Sequence, residues 1–392
     1  MREILISKTQ EKTTIIISEN GNIVEKYEET EEQKRLEGGI YLGKVSDVLP
    51  GMQAAFVDIG EKKNAFIHLK DILPKLDVKK ENPDEVINNS NIKDVVKNGT
   101  TLLIQVKRDS TNKKGARIST HISLPTRFLV FMPETNIVTI SKKIEDEKER
   151  NRLLELVEKN LPEGCGAIVR TSALGKKEED IITDITEITK KWKKIKAKVE
   201  KNKTSAPVLI CKNPGMIEKV LTDMMDQNID RILVDDKKIY DKVSNFILDN
   251  KIKVEISDNS VLEMYDIQKQ IERINNRKIW LKCGGYITID KTEALTAIDV
   301  NSGKYTGKES FEKTVFTVNK EASIEIAKQL RIRDIDGIII IDYIDMKEEE
   351  NKEQIIRILE DNLKNDRSKT QVVGFSKLNL LEMTRKHIYS ND

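Results

Sequence analysis

The sequence predicts a multidomain α/β protein with a small closed β-barrel set into it. Three observations carry that expectation. First, 392 residues exceed what one ordinary core accommodates, so about two to four domains are expected. Second, residues 37–124 read as many short strands separated by turn signals, the pattern of a small barrel. Third, the stretch from Gly284 to Met346 reads strand, helix, strand, which brings two strand ends to one edge of a sheet. The chain is 38% hydrophobic, 5% aromatic and 34% charged, as expected of a charge-laced globular protein. Met1-Arg2-Glu3 runs straight into a strand-like ILIS, without a signal peptide, and no apolar run approaches membrane-spanning length. A cytosolic protein with no membrane partner is the expectation.

Residues 1–36 hold two strands, EILIS and TTIIIS, followed by a charged segment ending near Arg35. They are too few for a core, so they are expected to pair with a later segment, in a domain built from two separated pieces. Within residues 37–124, a polar insertion around Asn82 to Asn91 interrupts the strands. Phe56, Phe66 and His68 alternate with inward-pointing positions. They are either barrel core or an exposed stacking platform for bases, flanked by Lys44, Lys62 and Lys63.

Residues 125–205 form a mixed unit. Arg170 and Thr171 close the strand GAIVR, a loop with Gly175 follows, and a helix begins near Glu178. A guanidinium fork beside a hydroxyl suits a terminal phosphate, although Arg-Thr before a helix is also common capping chemistry. The lysine run in ITKKWKKIKAKVEKNK reads as a solvated helix face. Residues 206–272 alternate strand and helix (PVLI, GMIEKVLTDMM, DRILVDD, KVSNFILD, KVEIS) and are expected to complete the N-terminal strands.

From residue 273 onward the chain carries its densest chemistry. GGYITIDKTEALTAIDVNSGK reads as a hairpin turning at Lys291-Thr292-Glu293, with Asp299 at the mouth of the second strand and Asn301 just beyond. In DGIIIIDYIDM, Ile338 to Ile341 read as a fully buried strand, and Asp342 follows directly. An amphipathic helical segment (Phe316, Val318, Ala322, Ile326, Ala327, Leu330) lies between them. Either aspartate alone is also what a strand-ending turn looks like. Two carboxylates meeting at one edge, with an amide nearby, make a hard oxygen site suited to Mg2+. An amphipathic helix, a basic turn with Arg367 and Lys369, and TQVVGFSKLNLLEMTRK close the chain. Cys165, Cys211 and Cys283 are scattered, with no C-x-x-C pair, so neither a structural zinc site nor a disulfide framework is visible. The net charge of +2 says nothing about nucleic acid, for which the clustering of Lys and Arg matters more than their sum.

In chain order, AAFVDIG, IVRTSALG, GGYITIDKTEALTAIDVNSG, IAKQLRIRDIDGIIIIDYIDM and LLEMTRK resemble motifs of the ribonuclease E/G family, over nearly the whole sequence. The resemblance implies an RNase H-like subdomain split between residues 1–36 and 206–272. It further implies an S1 domain, an OB-type barrel, at 37–124, a 5′-sensor at 125–205, and a DNase I-like catalytic subdomain at 273–392. Asp299 and Asp342 then match the family's magnesium-binding aspartates, with Asn301 as the catalytic asparagine beside them. Arg170 and Thr171 match its 5′-monophosphate pocket. Phe56 and Phe66 match its S1 aromatics, Lys107 and Lys114 its basic residues near the substrate strand, and Lys369 becomes a further RNA contact.

The implied activity is magnesium-dependent endonucleolytic cleavage of single-stranded, A/U-rich RNA, stimulated by a 5′-monophosphate, in rRNA processing and mRNA decay. It would leave 5′-phosphate and 3′-hydroxyl ends. His68, His121 and His387 lie in different regions, which disfavours a histidine-driven attack by the 2′-hydroxyl. The family's Cys-x-x-Cys zinc link has no counterpart before the sequence stops at HIYSND, so a homodimer without a zinc-linked tetramer is the expectation. A catalytically inactive S1-type RNA-binding protein and a different magnesium phosphohydrolase are the alternatives.

Overall fold

The computed structural model describes residues 1–30, 35–72, 91–110, 114–224, 229–247, 252–303 and 311–386. The polar insertion around Asn82, up to residue 90, and His387 lie outside these described residues. The chain folds as two units: residues 33–227 form one, and residues 1–32 with 228–391 form the other.

Strands β1 (Arg2–Lys8), β2 (Lys12–Glu19) and β3 (Asn22–Thr30) form an antiparallel meander. Runs of Ile and Leu in β1 and β2 are buried on both faces. The sequence reading took β3 for a charged segment, and the structure corrects it. Its alternate residues Ile23, Glu25 and Tyr27 face inward and are buried. The buried Glu25 accepts hydrogen bonds from Arg331 Nε at 3.0 Å, Arg367 Nη2 at 2.5 Å and Tyr27 Oη at 2.7 Å. Burial pushes its carboxyl upward, but Arg367 and then Arg331 outweigh that and hold it below its usual range.

In the unit 33–227, β4 (Ile40–Leu49), β5 (Ala54–Asp58), β6 (Ala65–His68), β7 (Thr101–Arg108) and β8 (Arg117–Ser119) pair in the order β4-β5-β6-β8-β7. β7 then returns to β4 and closes a five-stranded barrel. Val45, Val57, Ile67, Ile104, Val106 and Ile118 fill it, and the short α1 (Ile92–Val95) adds the buried Ile92. Closure is tight at Gly115, where a Cβ would lie 1.9 Å from the Asn64 carbonyl oxygen, so only glycine fits.

Next come β9 (Leu124–Pro125), β10 (Leu129–Pro133), β11 (Val138–Ile140), α2 (Glu147–Asn160), β12 (Cys165–Val169) and α3 (Glu178–Lys201). The strands form a sheet in the order β11-β12-β10-β9. α3 buries Ile181, Ile185, Ile188, Trp192 and Ile195 at helical spacing and leaves Lys190, Lys191, Lys193 and Lys194 exposed, the solvated face expected of that run. β13 (Val208–Cys211), the PVLI strand grouped by sequence with the N-terminal strands, pairs with β4 instead. α4 (Met216–Met224) follows.

The second unit completes the N-terminal meander with β14 (Arg231–Val234) and β15 (Lys253–Ile256), giving the order β15-β14-β1-β2-β3. α5 (Lys237–Phe246) connects them, and α6 (Ile267–Ile274) follows. A six-stranded sheet comes next: β16 (Lys278–Trp280), β17 (Tyr286–Lys291), β18 (Leu295–Asn301), β19 (Gly337–Asp342), β20 (Thr370–Phe375) and β21 (Leu380–Arg385), in the order β16-β17-β18-β19-β21-β20.

α7 (Phe311–Ile332) links β18 to β19, which run parallel, and α8 (Glu349–Leu363) follows β19. Buried residues of both helices (Val318, Ile326, Leu330, Ile355, Leu359) pack with Ile287, Ile298, Ile339, Ile341 and Leu381 of one sheet face. The opposite face stays open, which corrects the reading of Ile338 to Ile341 as a fully buried strand. Ile339 and Ile341 are buried, whereas Ile338 is 51% exposed and Ile340 half-buried. No described helix is long and apolar enough to cross a membrane.

Candidate functional site

The open face of the six-stranded sheet carries the chain's paired acids. Strands β18 and β19 pair with Asp299 directly opposite Asp342, at the carboxyl ends of both strands. In a sheet with period two, registered partners project to the same face. Both acids are exposed on the face away from the helices. The Asn301 side-chain amide donates to Asp299 Oδ2 at 2.6 Å, fixing that carboxylate in one orientation. Burial first, then the charges of Asp299 and Asp345, push the Asp342 carboxyl above its usual range.

The surrounding elements fix these groups. Buried Asn319 of α7 accepts from the Ile344 backbone N–H at 3.1 Å and donates to its carbonyl at 2.8 Å, clamping the segment just after Asp342. Tyr343, buried between, shares a 2.7 Å hydrogen bond with Ser323. At the other strand end, a Cβ on Gly285 would come within 2.8 Å of the Asn301 carbonyl oxygen, and one on Gly303 within 2.5 Å of the Gly284 oxygen. Glycine at both places lets the 281–285 turn close over the end of β18.

Among the described residues, no group of three or more His, Cys, Asp or Glu side chains forms a preformed metal cage. Two registered carboxylates and one amide still fit magnesium, which is bound through one or two carboxylates and keeps several waters.

In the barrel, Phe56 and Phe66 are registered partners on β5 and β6, with ring centroids 6.0 Å apart in an edge-on arrangement. Phe56 is 36% exposed, so its ring lies outside the barrel core, and the interior is filled by aliphatic residues. Arg117 registers with Phe66 and ion-pairs with Asp71 at 2.9 Å. Lys114, Lys44, Lys62 and Lys63 are exposed. Lys107 is placed differently: its ammonium donates to Gln105 Oε1 at 2.8 Å and Ser123 Oγ at 3.1 Å. Burial brings its pKa down to about 8.

Arg170 and Thr171 stand at the end of β12, where a single 3₁₀ turn follows. Thr171 is exposed. The Arg170 guanidinium donates to the Thr126 carbonyl at 2.9 Å and to Asp223 Oδ1 at 2.8 Å, which sets its plane. The 126–128 turn is in turn held by Asp184, which accepts from Thr126 Oγ1 at 2.6 Å and the Phe128 N–H at 3.0 Å. Glu149 fastens the loop after Thr171 by accepting from the Gly175 N–H at 2.9 Å.

Lys369, by contrast, is exposed on a loop whose neighbour Arg367 is committed to Glu25. Sequence reasoning missed Asp184, Asp223, Asn319 and Asp345. Only Asp345 carried a visible signal, as the second acid of the IDYID run.

The sequence pattern of the Ribonuclease E/G family matches residues 123–388. The chain belongs to the ribonuclease E/G family. Ribonuclease G of Salmonella typhimurium is 38% identical over 390 residues, which cover 98% of this chain and 79% of that protein. Ribonuclease G of Haemophilus influenzae is 37% identical with the same coverage. Ribonuclease E of Nostoc sp. is 37% identical over 359 residues, 89% of this chain and 51% of that protein. For this ribonuclease E/G family member, the matched segment includes the registered aspartates, Asn301 and the Arg170-Thr171 corner.

Proposed function

We propose that this chain is a magnesium-dependent endoribonuclease of RNA processing and decay in the cytoplasm, cutting single-stranded, A/U-rich RNA to 5′-phosphate and 3′-hydroxyl products. The observation that carries the proposal is the registration of Asp299 with Asp342 on an open sheet face, with Asn301 bonded to Asp299. Asp299 and Asp342 would hold the ion. When bound, magnesium offsets the charge of the scissile phosphate and acidifies the attacking water. Asn301 orients the Asp299 carboxylate without adding repulsion. The open face admits an extended strand, whereas a buried edge would not.

Binding energy away from the cut would come from Phe56 and Phe66, with Lys114 nearby in sequence on the exposed approach to β8. Lys107 and Lys369 would add basic charge. A 5′-monophosphate on Arg170 and Thr171 would anchor one end and orient the rest, which is the basis for stimulation by that end. In subdomain terms, residues 37–124 are the S1 domain and 125–205 the 5′-sensor. Residues 1–36 with 206–272 are the RNase H-like part, less the strand Val208–Cys211, and 273–392 the DNase I-like part.

The test is a gel assay on a single-stranded A/U-rich RNA, bearing a 5′-monophosphate or a 5′-hydroxyl, with magnesium or EDTA. Internal cleavage that EDTA abolishes is expected. Cleavage indifferent to EDTA would overturn the metal assignment, and binding without cleavage would favour an inactive RNA-binding protein.

A further inference from the structure

The open face holds a second cluster that the proposed reaction leaves unused. Lys278 on β16 is registered with Thr288 on β17, Thr288 with Asp299 on β18, and Asp299 with Asp342 on β19, so the four form one row across four strands. Beside it runs a parallel row, Trp280, Tyr286 and Asn301. Strands in a sheet lie about 4.8 Å apart, so Lys278 and Trp280 stand roughly 10 Å from β18.

Trp280 is 57% exposed and packs edge-on against Tyr286 with centroids 5.3 Å apart. The Lys278 ammonium sits 4.2 Å from the Trp280 centroid and 3.5 Å from that of Tyr286. Lys282, in the adjoining turn, is exposed as well.

A single exposed tryptophan would need no explanation, so what singles this one out is the set of groups built around it. Here it is braced by a second aromatic ring and faced by the Lys278 ammonium, one row over from the paired acids. Aromatic faces with adjacent lysines form the chemistry that stacks nucleobases while pairing with their phosphates. We propose that Trp280, Tyr286 and Lys278 form a nucleotide subsite: the base of a neighbouring nucleotide stacks on Trp280 while Lys278 pairs with its phosphate. The strand is thereby drawn along the Asn301 row, which sets the phosphate over the registered acids. This rests on the endoribonuclease reading for its role but not for its detection.

The chain has two tryptophans, and Trp192 is buried at 4% exposure, so quenching by a stacked base falls on Trp280, with the Trp280→Ala spectrum giving the Trp192 background. The full chain would be titrated in EDTA, where the proposed reaction does not run, with a 2′-O-methyl single-stranded oligonucleotide, with anisotropy of a labelled copy measuring binding. Wild type should show fluorescence quenching that tracks binding. Trp280→Ala should weaken binding roughly tenfold, the scale of one stacked base, and Trp280→Phe should restore most of it. In cleavage of the unmodified RNA, the Trp280→Ala loss should appear mainly in KM, with a smaller change in kcat.

Binding by anisotropy with no quenching overturns the subsite, as does Trp280→Ala binding at wild-type affinity. Failure to quench combined with a fall from dimer to monomer on Trp280→Ala, read by sedimentation, also overturns it and assigns the face to a second copy of the chain. A protein that is quenched and bound but never cleaves keeps the subsite and sinks the reaction.

Discussion

Replacing Asp342 by asparagine tests the metal assignment through two signs that a structural role does not share. At an adjacent-strand spacing of about 5 Å and an effective dielectric of about 20, two carboxylates repel by about 3 kcal/mol. Both acids are exposed, so solvent and salt reduce this to about 1 kcal/mol. In EDTA, Asp342→Asn should therefore be at least as stable as wild type. With magnesium the order should reverse: an ion held as proposed would stabilise wild type by about 2.7 kcal/mol at a hundredfold excess over its dissociation constant, and the variant should gain little. Cleavage should fall at least ~100-fold, the usual loss for one preorganised group at a reacting charge.

The pH arm has a definite sign. A carboxyl raised in the folded state holds its proton to higher pH than in the unfolded chain. The ion-free protein thus loses stability as pH rises from the ordinary carboxylate range through the raised value, whereas magnesium loading improves over the same window. Thermal unfolding with EDTA or magnesium, at several pH values, reads all of this. A wild-type protein that magnesium does not stabilise, or an Asp342→Asn enzyme with full activity, would refute the reasoning.

Four other outcomes follow from the same structure. Phe56→Ala should weaken single-stranded RNA binding by about 1 to 3 kcal/mol in a filter or anisotropy assay, leaving thermal stability nearly unchanged because the ring lies outside the barrel core. Arg170→Ala should bring kcat/KM for 5′-monophosphate and 5′-hydroxyl RNA together while sparing cleavage of long RNA entered internally. Arg385→Ala should cost about 3 to 5 kcal/mol in urea unfolding, because it leaves the buried Asp366, bonded at 2.7 Å, without its cation. Glu149, held at about 2 mainly by its hydrogen bond from Arg152, contributes stability present above its unfolded value near 4.5 and lost as pH falls toward 2. Glu149→Gln should remove that acid limb from the pH–stability curve.

Much of this architecture was legible because it rests on local patterns. Alternation through Ile287, Ile289 and Ile298 marked the hairpin, helical spacing through Val318, Ile326 and Leu330 marked the crossover, and together they placed Asp299 level with Asp342. The barrel was visible for the same reason. What stayed hidden depends on partners remote in sequence. Charge made β3 read only as a charged segment, since nothing near Glu25 announces Arg331 and Arg367. Val208–Cys211 has the composition of any short strand, and only the edge of β4 decides where it pairs. Ile338 belongs to a run that reads as buried on both faces, yet a sheet covered by helices on one side exposes every second residue. At the candidate sensor, Arg170 and Thr171 were readable as a pair, whereas Asp223 and Asp184, which set their geometry, are ordinary helix acids in the sequence.

The anchoring of Glu25 also bears on how the chain is made. Its counter-charges lie 306 and 342 residues downstream, and β1 waits for β14, while residues 33–227 close their own cores in between. Emerging from the ribosome, the inserted unit can therefore mature first. The opening meander must remain unfinished, its acid hydrated rather than entombed, until the final stretch containing Arg367 has been translated. A truncation before that point should strand the N-terminus as a protease-sensitive tail beside an intact barrel.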